Sequence, residues 1–234
     1  NKGNSWKRAQ VTFKASQGQS FNIQFQASVG PSYLGDIAID DYRLTVGACG
    51  SSAVPGNCDF EKDLCTWTNS LTGDDFDWTL GSGKTGSTGT GPTVDHTLGN
   101  SNGSYVFIEA SNPRSPGDRA LLTSDIFPAA TPRCMEFWYH MYGQEIGTLR
   151  VHVKSQNGSP SPVWEVVGNK GDAWRQGRVP VSSPDSNPFQ VLLEAVRGNG
   201  YRGDIAVDDI TYTDGSGACQ LMPAYATPTT TSAP

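Results

Sequence analysis

Apolar and polar residues alternate with a period of two along most of this chain. The alternation places Phe21, Ile23, Phe25 and Ala27 on one face of a strand and Asn22, Gln24 and Gln26 on the other. It also predicts strands at Val11/Phe13, Tyr105–Glu109, Met135–Tyr139, Leu149–Lys154, Val179/Val181 and 189–195. Turn-rich segments separate these strands at 81–91, 111–117, 158–162 and 182–188. Since no segment of helical length keeps a 3.6-residue period, the pattern predicts an all-β chain folded as a β-sandwich.

The chain also contains a long internal repeat. The segment that begins at Trp6 resembles the segment that begins 168 residues later at Trp174, and both run without a gap to an acidic pair, Asp40–Asp41 and Asp208–Asp209. An interval of this length corresponds to a whole domain. The chain is therefore expected to contain parts of two similar modules.

The repeat predicts the domain boundaries. We expect residues 1–49 to be the C-terminal third of one module, 50–57 a linker and 58–219 a complete module. The first segment is expected to need the remaining part of its module. Residues 220–234 are rich in Thr and Pro, and we expect them to form an extended stalk.

Composition and charge limit the partners. The net charge of −6 argues against nucleic acid, which attracts basic surfaces. No apolar run is long enough for direct membrane insertion. With 27 glycines, 15 prolines and only 17% charged residues, the chain suits a loop-rich extracellular β protein.

The five cysteines suggest a disulfide pairing. Cys49 and Cys219 follow the repeated strand in the two copies. If each module closes on that cysteine, Cys219 pairs with Cys134, Cys58 pairs with Cys65, and the partner of Cys49 lies upstream of residue 1. A free reactive thiol is the alternative for the odd cysteine. Disulfides need an oxidising compartment, so we expect a secreted protein or one on the extracellular face of the cell surface.

The acidic pair Asp208–Asp209 is the most suggestive chemistry. Counting from Ile205 and Val207, Asp209 falls on the inward face of its strand, and the apolar pattern resumes at Ile210, which predicts a β-bulge at the pair. An inward carboxylate needs N–H donors or a cation. With Asp59, Glu61 and Asp95, Asp209 could supply the oxygen ligands of one structural calcium ion per module; hydrogen bonding to loop amides is the alternative.

Three other motifs have ordinary explanations. Arg202–Gly203–Asp204 spells an integrin-recognition tripeptide, but the first copy has Leu34–Gly35–Asp36, so the Gly-Asp belongs to the start of the strand. Residues 81–86 satisfy GxGxxG without the rest of a phosphate-binding loop, and we expect a flexible loop. Candidate glycosylation sites are Asn102, Asn157, Thr229, Thr230 and Thr231. No serine or cysteine has a histidine and an acid in a nucleophilic pattern, so we expect no enzyme activity.

Five sequence blocks together resemble a known family. They are CDFEKDLCTW (58–67), GPTVDHTLGNSNGSYVFIEAS (91–111), GDRALLTSDIF (117–127), CMEFWYHMYGQEIGTLRVHV (134–153) and GYRGDIAVDDI (200–210). In order and cysteine context they resemble the MAM domain, an extracellular module of meprins, neuropilins and receptor-type tyrosine phosphatases. The resemblance implies a jelly-roll-like antiparallel β-sandwich, the cysteine pairing given above and, in some members, a structural cation.

The resemblance also implies a function. We expect a non-catalytic extracellular interaction module that mediates adhesion or oligomerisation within a tandem MAM array, through homophilic or heterophilic protein contacts. One alternative is an accessory domain of an extracellular protease, which an HExxH motif in the full-length protein would favour. Another is a carbohydrate-binding jelly roll, which exposed coplanar tryptophans would favour.

Overall fold

The computed structural model describes residues 22–28, 37–39, 55–129, 132–156, 158–215 and 219–228. The chain divides into two units, Asn1–Ala53 and Val54–Pro234. In the first unit the described residues have no regular secondary structure and are exposed, Ile23 and Phe25 among them. The strand predicted there is therefore wrong for residues 22–27, because alternation stabilises a strand only where its apolar face is covered by another layer.

The second unit contains ten strands. They are β1 (Thr68–Asn69), β2 (Thr79–Ser82), β3 (Ser104–Ile108), β4 (Arg119–Thr123), β5 (Arg133–Met141), β6 (Thr148–Ser155), β7 (Ser161–Val167), β8 (Arg175–Val181), β9 (Phe189–Val196) and β10 (Ile205–Asp214). Among the described residues, no helix has the length and apolar character needed to cross a membrane.

The strands form two five-stranded sheets. The first sheet has the order β1-β4-β9-β6-β7 and the second sheet the order β2-β3-β10-β5-β8. Every pair of neighbouring strands is antiparallel. The predicted all-β sandwich is confirmed.

Alternation along the strands builds the core between the sheets. In β6 the buried residues Leu149, Val151 and Val153 alternate with Arg150 and His152, whose side chains lie on the outer face. β5 and β9, in different sheets, bury most of their residues and both contribute side chains to this core. Large aromatic side chains fill the remaining space, with Trp67, Trp78, Trp164, Phe127, Phe137 and Phe189 fully buried.

Two disulfides are present in the second unit. Cys58 is linked to Cys65, and Cys134 on β5 is linked to Cys219, with a sequence separation of 85. Cys49 lies outside the described residues.

The segment after Cys219, which we call the C-terminal strap (219–228), packs along the edge of the sandwich. Met222 exchanges two backbone hydrogen bonds with Arg178 of β8, and the Ala226 carbonyl accepts one from the Glu165 amide of β7. Ala226 is fully buried. The predicted stalk over 220–234 is therefore wrong up to Ala226, because these residues bind two edge strands whose backbone groups otherwise lack partners.

Candidate functional site

The acidic pair lies at an irregularity in β10. The pairing of β10 with β5 shifts between Asp208 and Thr211, and Asp209 has a φ of 49°, in the left-handed region. The predicted bulge is confirmed. The predicted burial of Asp209 is wrong: Asp208 is 0% exposed and Asp209 is half-buried, because the alternation continues through Ala206 to Asp208 and the bulge then displaces Asp209.

A long loop between β2 and β3, the covering loop (83–103), buries Asp208 from outside the sheet. The Oδ2 atom of Asp208 accepts hydrogen bonds from the amides of His96 (2.8 Å) and Thr97 (3.4 Å), and its Oδ1 accepts one from the Asp209 amide (2.8 Å). Burial and the neighbouring Asp209 carboxylate raise the pKa of Asp208 to about 8, although these three hydrogen bonds oppose the shift. The pair therefore anchors the loop, although the Asp209 carboxylate disfavours ionisation of the neighbouring Asp208.

Aromatic rings support the covering loop from below. The His96 ring stacks on Trp138 with centroids 3.8 Å apart, and its Nδ1 lies 2.6 Å from Asp209 Oδ2. The indole of Trp174 donates a hydrogen bond to the Val94 carbonyl (2.9 Å). Thr85, in the segment expected to be a flexible loop, is buried. The covering loop is thus a packed layer over the part of the second sheet's outer face that contains Asp208, Trp138 and Trp174.

The three other candidate calcium ligands already accept hydrogen bonds from loop amides. Asp95 accepts from Leu98 (2.5 Å) and Asn100 (3.0 Å), while Glu61 accepts from Ser104 (3.0 Å). Asp59 accepts from the Glu61 amide at 3.4 Å.

Electrostatics nevertheless connects these acids. Burial raises the pKa of Glu61, and the negative charges of Asp95, Asp59 and Asp209 raise it further. The combined negative charge of these carboxylates would favour a bound cation. In geometry, no three acidic, histidine or cysteine side chains of the described segments are gathered closely enough to hold a metal ion.

The Arg202–Gly203–Asp204 tripeptide cannot present its carboxylate to a partner. Asp204 is 0% exposed, its Oδ1 accepts a hydrogen bond from the Ala110 amide (2.9 Å), and burial raises its pKa to about 6. Its own amide donates to Thr90 Oγ1 (2.9 Å). Asp204 is thus a structural residue beneath the covering loop, and integrin binding through this motif is excluded.

Of the candidate glycosylation sites, Asn102 is exposed in a turn of the covering loop. Asn157, Thr229, Thr230 and Thr231 lie outside the described residues.

The outer face of the first sheet carries a groove, lined in part by the loop 70–73, and a charged network. Its centre is Glu194 of β9, whose carboxylate accepts from Arg150 Nη1 (3.0 Å), His152 Nε2 (3.0 Å) and Arg119 Nη1 (3.4 Å). Arg150 also pairs with Glu165. Burial would raise the pKa of Glu194, but the hydrogen bonds and charges of His152 and Arg150 lower it to about 2.

This charged network was not among the sequence-based predictions, although the sequence carries a signal for it. Glu194 interrupts the apolar run of β9, and Arg150 and His152 occupy the polar positions of β6. Alternation identifies the face, but only the pairing of β6 with β9 brings the three side chains together.

The tryptophans do not form an exposed platform. Trp67, Trp78 and Trp164 are buried, and Trp138 and Trp174 are half-buried against the covering loop. Among the described residues, the exposed coplanar tryptophans that would favour a carbohydrate-binding jelly roll are therefore absent.

Comparison with known proteins gives one consistent family. Residues 1–50 and 58–220 match the profile of the MAM domain, described as meprin/A5/mu. The chain is 42% identical over 189 residues to MAM domain-containing glycosylphosphatidylinositol anchor protein 1 of Homo sapiens, covering 77% of the chain and 19% of that protein. It is 39% identical over 183 residues to anchor protein 2 of Mus musculus, covering 71% of the chain and 19% of that protein. The chain thus spans about a fifth of the length of these relatives.

Among solved structures, the K1 cleaved adhesin domain of Lys-gingipain from Porphyromonas gingivalis W83 matches with a TM-score of 0.47. It is 12% identical, and the match covers 68% of this chain and 97% of that domain.

Proposed function

The chain belongs to the MAM domain family, and we propose that it acts as a non-catalytic extracellular interaction module that mediates adhesion or oligomerisation. The domain is extracellular, as its two disulfides and its relatives, which are named as glycosylphosphatidylinositol anchor proteins, indicate. The names of these relatives mention a domain and a membrane anchor and do not mention a catalysed reaction.

The observation that carries the proposal is the difference between the two outer sheet faces. The covering loop packs on the outer face of the second sheet around Asp208 and Trp138, whereas the outer face of the first sheet carries a groove with Leu71, 99% exposed, in its lining. Contiguous apolar side chains rimmed by polar ones are typical of an interaction surface, and Leu71 lines the same groove as Leu121 and Pro160. We therefore assign the protein contact to the outer face of the first sheet.

A bead-clustering assay tests this proposal. Beads coated with the full chain should cluster with one another or bind cells, and soluble chain should compete. Leu71→Glu should abolish the association, because it places a charge at the centre of a contact that must be desolvated. Leu98→Glu, a matched change in the exposed part of the covering loop, should leave it intact. Equal effects of both variants, or the lack of any association, would contradict the proposal.

We also propose one structural calcium ion for the module, near Asp59, Glu61, Asp95 and Asp209. The support is that burial and, to a smaller extent, the charges of Asp95, Asp59 and Asp209 raise the pKa of Glu61, because a divalent cation would neutralise the repulsion among these carboxylates. Calcium at about 100 times its dissociation constant should raise the free energy of unfolding by about 2.7 kcal/mol. Thermal melting with calcium, with magnesium and with chelator measures this effect; no stabilisation by calcium, and none lost with chelator, would rule the ion out.

Two further parts of the proposal concern covalent modification. Asn102 is proposed to carry an N-linked glycan, which a mass shift on enzymatic deglycosylation of the secreted chain would show.

For Cys49 we propose a partner in the remaining part of its own module. A non-reducing peptide map locates that partner, and a Cys49–Cys134 link would contradict the pairing.

A further inference from the structure

The loop that joins β9 to β10, residues 197–204, contains the Asn-Gly pair Asn199–Gly200. Asn199 is exposed and Gly200 is half-buried. Within the part of the chain that the structure describes, neither the Asn199 side chain nor the Gly200 amide makes a hydrogen bond. The side-chain amide of Asn199 can therefore turn towards the backbone nitrogen of the next residue.

The fold requires a glycine directly after Asn199. A Cβ on residue 200 would overlap the carboxylate of Glu145. That carboxylate is held in place, because it accepts a hydrogen bond from the Arg202 amide (3.0 Å) while the Glu145 amide donates to the Arg202 carbonyl (3.1 Å). A larger residue at position 200 would have to break these contacts, so the Asn-Gly pair is built into the loop.

Glycine is the neighbour that most favours loss of an asparagine amide, because without a Cβ its nitrogen can approach the side chain closely. In the first step the Gly200 nitrogen gives its proton to solvent and attacks Cγ of Asn199. The new N–Cγ bond closes a cyclic imide, the Cγ–Nδ2 bond breaks, and the amide group leaves as ammonia after taking a proton from solvent. Water then opens the imide at one of its two carbonyls, which yields either aspartate or isoaspartate with the backbone extended through Cβ and Cγ.

The other Asn-Gly pair whose two residues are both described, Asn102–Gly103, is held more firmly. Gly103 is buried against the carboxylate of Asp95, which fills the space where a Cβ would lie. Ser104, directly after the pair, starts β3 and donates its amide hydrogen bond to Glu61 (3.0 Å). Because the backbone around Gly103 is fixed on both sides, we expect Asn102 to react more slowly than Asn199.

We propose that Asn199 is a site of spontaneous deamidation, where the ageing domain accumulates aspartate and isoaspartate that weaken the loop between β9 and β10. Aspartate adds a negative charge one residue from the Glu145 contact, and like charges at close range repel each other. Isoaspartate also lengthens the backbone, in a loop where a Cβ on Gly203 would lie only 2.7 Å from the Glu145 carbonyl oxygen. The reaction consumes only water, so it goes beyond the proposed protein contact and needs no partner.

Ageing of the unglycosylated full chain at body temperature and mildly alkaline pH, followed by peptide mapping, tests the proposal. The peptide that contains Asn199 should lose its amide several-fold faster than those that contain Asn102 or Asn169, and a protein isoaspartate methyltransferase should label it. The rate should rise with hydroxide concentration, because the attacking nitrogen must be deprotonated. Asn112 and Asn187 precede prolines, which have no N–H, and should stay unchanged. Loss at Asn199 no faster than at Asn102 or Asn169 would overturn the proposal.

Paired variants connect the modification to the stability of the loop. Before ageing, Asn199→Gln should have the melting temperature of the wild type. After ageing, the wild type should have the lower melting temperature, because glutamine would have to close a larger ring and reacts more slowly. Asn169→Gln, a matched change at an exposed asparagine followed by lysine, should age like the wild type. Equal melting temperatures of the aged wild type and the aged Asn199→Gln variant would overturn the proposal. Bead clustering by freshly purified chain does not depend on this reaction, so either proposal can fail without the other.

Discussion

At the scale of single residues, Glu194 shows how an ionised carboxylate can be held in the face of a β-sheet. Its side chain is only 5% exposed, which alone would favour the protonated acid. Arg150, His152 and Arg119 supply three charge-assisted contacts, and the ionised form prevails.

The pH dependence of stability follows from the low pKa of Glu194. Since the folded value of about 2 lies below the usual 4.5, its contribution is fully present above pH 4.5 and is lost as the pH falls towards 2. Glu194→Gln should lower the free energy of unfolding by about 2 kcal/mol at neutral pH, and the gap to the wild type should close in acid. Urea unfolding at a series of pH values measures this. Glu136→Gln, which breaks the half-exposed pair with Arg178, is the control with a small effect, and a pH-independent gap would contradict the prediction.

A second residue-scale prediction concerns Gly203. A Cβ at this position would lie 2.7 Å from the Glu145 carbonyl oxygen and 3.1 Å from that of Gly200. Gly203→Ala should therefore cost about 1–3 kcal/mol, because the backbone must move. Arg202→Ala, in the same tripeptide, removes a half-buried side chain whose hydrogen bonds to Tyr201 and Gln144 lie in exposed positions, and it should have little effect. Thermal melting distinguishes the two, and an equal melting temperature for Gly203→Ala and the wild type would show that the loop yields freely.

At the scale of elements, the C-terminal strap is the least expected part of the fold. Its Met222 carbonyl also accepts a hydrogen bond from the Trp164 indole (2.8 Å), a fully buried side chain of β7. The strap thus joins one edge strand of each sheet, β7 and β8, on the same side of the sandwich.

Truncation tests the contribution of the strap. A chain that ends at Gln220 keeps both disulfides but loses the hydrogen bonds to Trp164, Glu165 and Arg178, and should be destabilised by about 3 kcal/mol. A chain that ends at Pro228 keeps the strap and should have the same melting temperature as the full-length protein. If the two truncated chains have the same melting temperature, the strap contributes nothing to stability.

The sequence predicted some elements and missed others for physical reasons. Strands β5, β6 and β9 alternate clearly because one face of each lines the core. The sequence does not predict β7, because this strand starts with Ser161–Pro162, residues typical of a turn. Since β7 is an edge strand, it tolerates a proline there. β4 is short, and the sequence indicates it only through the family block 117–127.

The candidate site was harder to predict than the strands. Strand parity indicated a bulge at the acidic pair, but it could not show which aspartate adopts the left-handed conformation. Likewise, the composition of the covering loop suggests flexibility, and the burial of Thr85 and Thr90 comes from tertiary packing. The two disulfides are the pairs inferred from the repeat.

At the scale of the whole molecule, the two disulfides should differ in their effect on stability. In the chain-entropy model a bridge stabilises more as its loop lengthens, by about 4.6 kcal/mol for Cys134–Cys219 and about 2.5 kcal/mol for Cys58–Cys65. Replacing Cys134 and Cys219 together by Ala should therefore lower the urea midpoint more than replacing Cys58 and Cys65. The reverse order would mean that packing around the short loop outweighs the entropy of the long one.

The Cys134–Cys219 bridge also determines how the domain would respond to mechanical tension on its C-terminal end. A pull there first loads the strap, whose few hydrogen bonds to β7 and β8 would peel away. The force would then pass through the covalent bond directly into β5, an interior strand of the second sheet. Strands β6 to β10 lie inside the bridged loop and would bear no load along the chain, so half of the sandwich is shielded from extension while the bridge is intact.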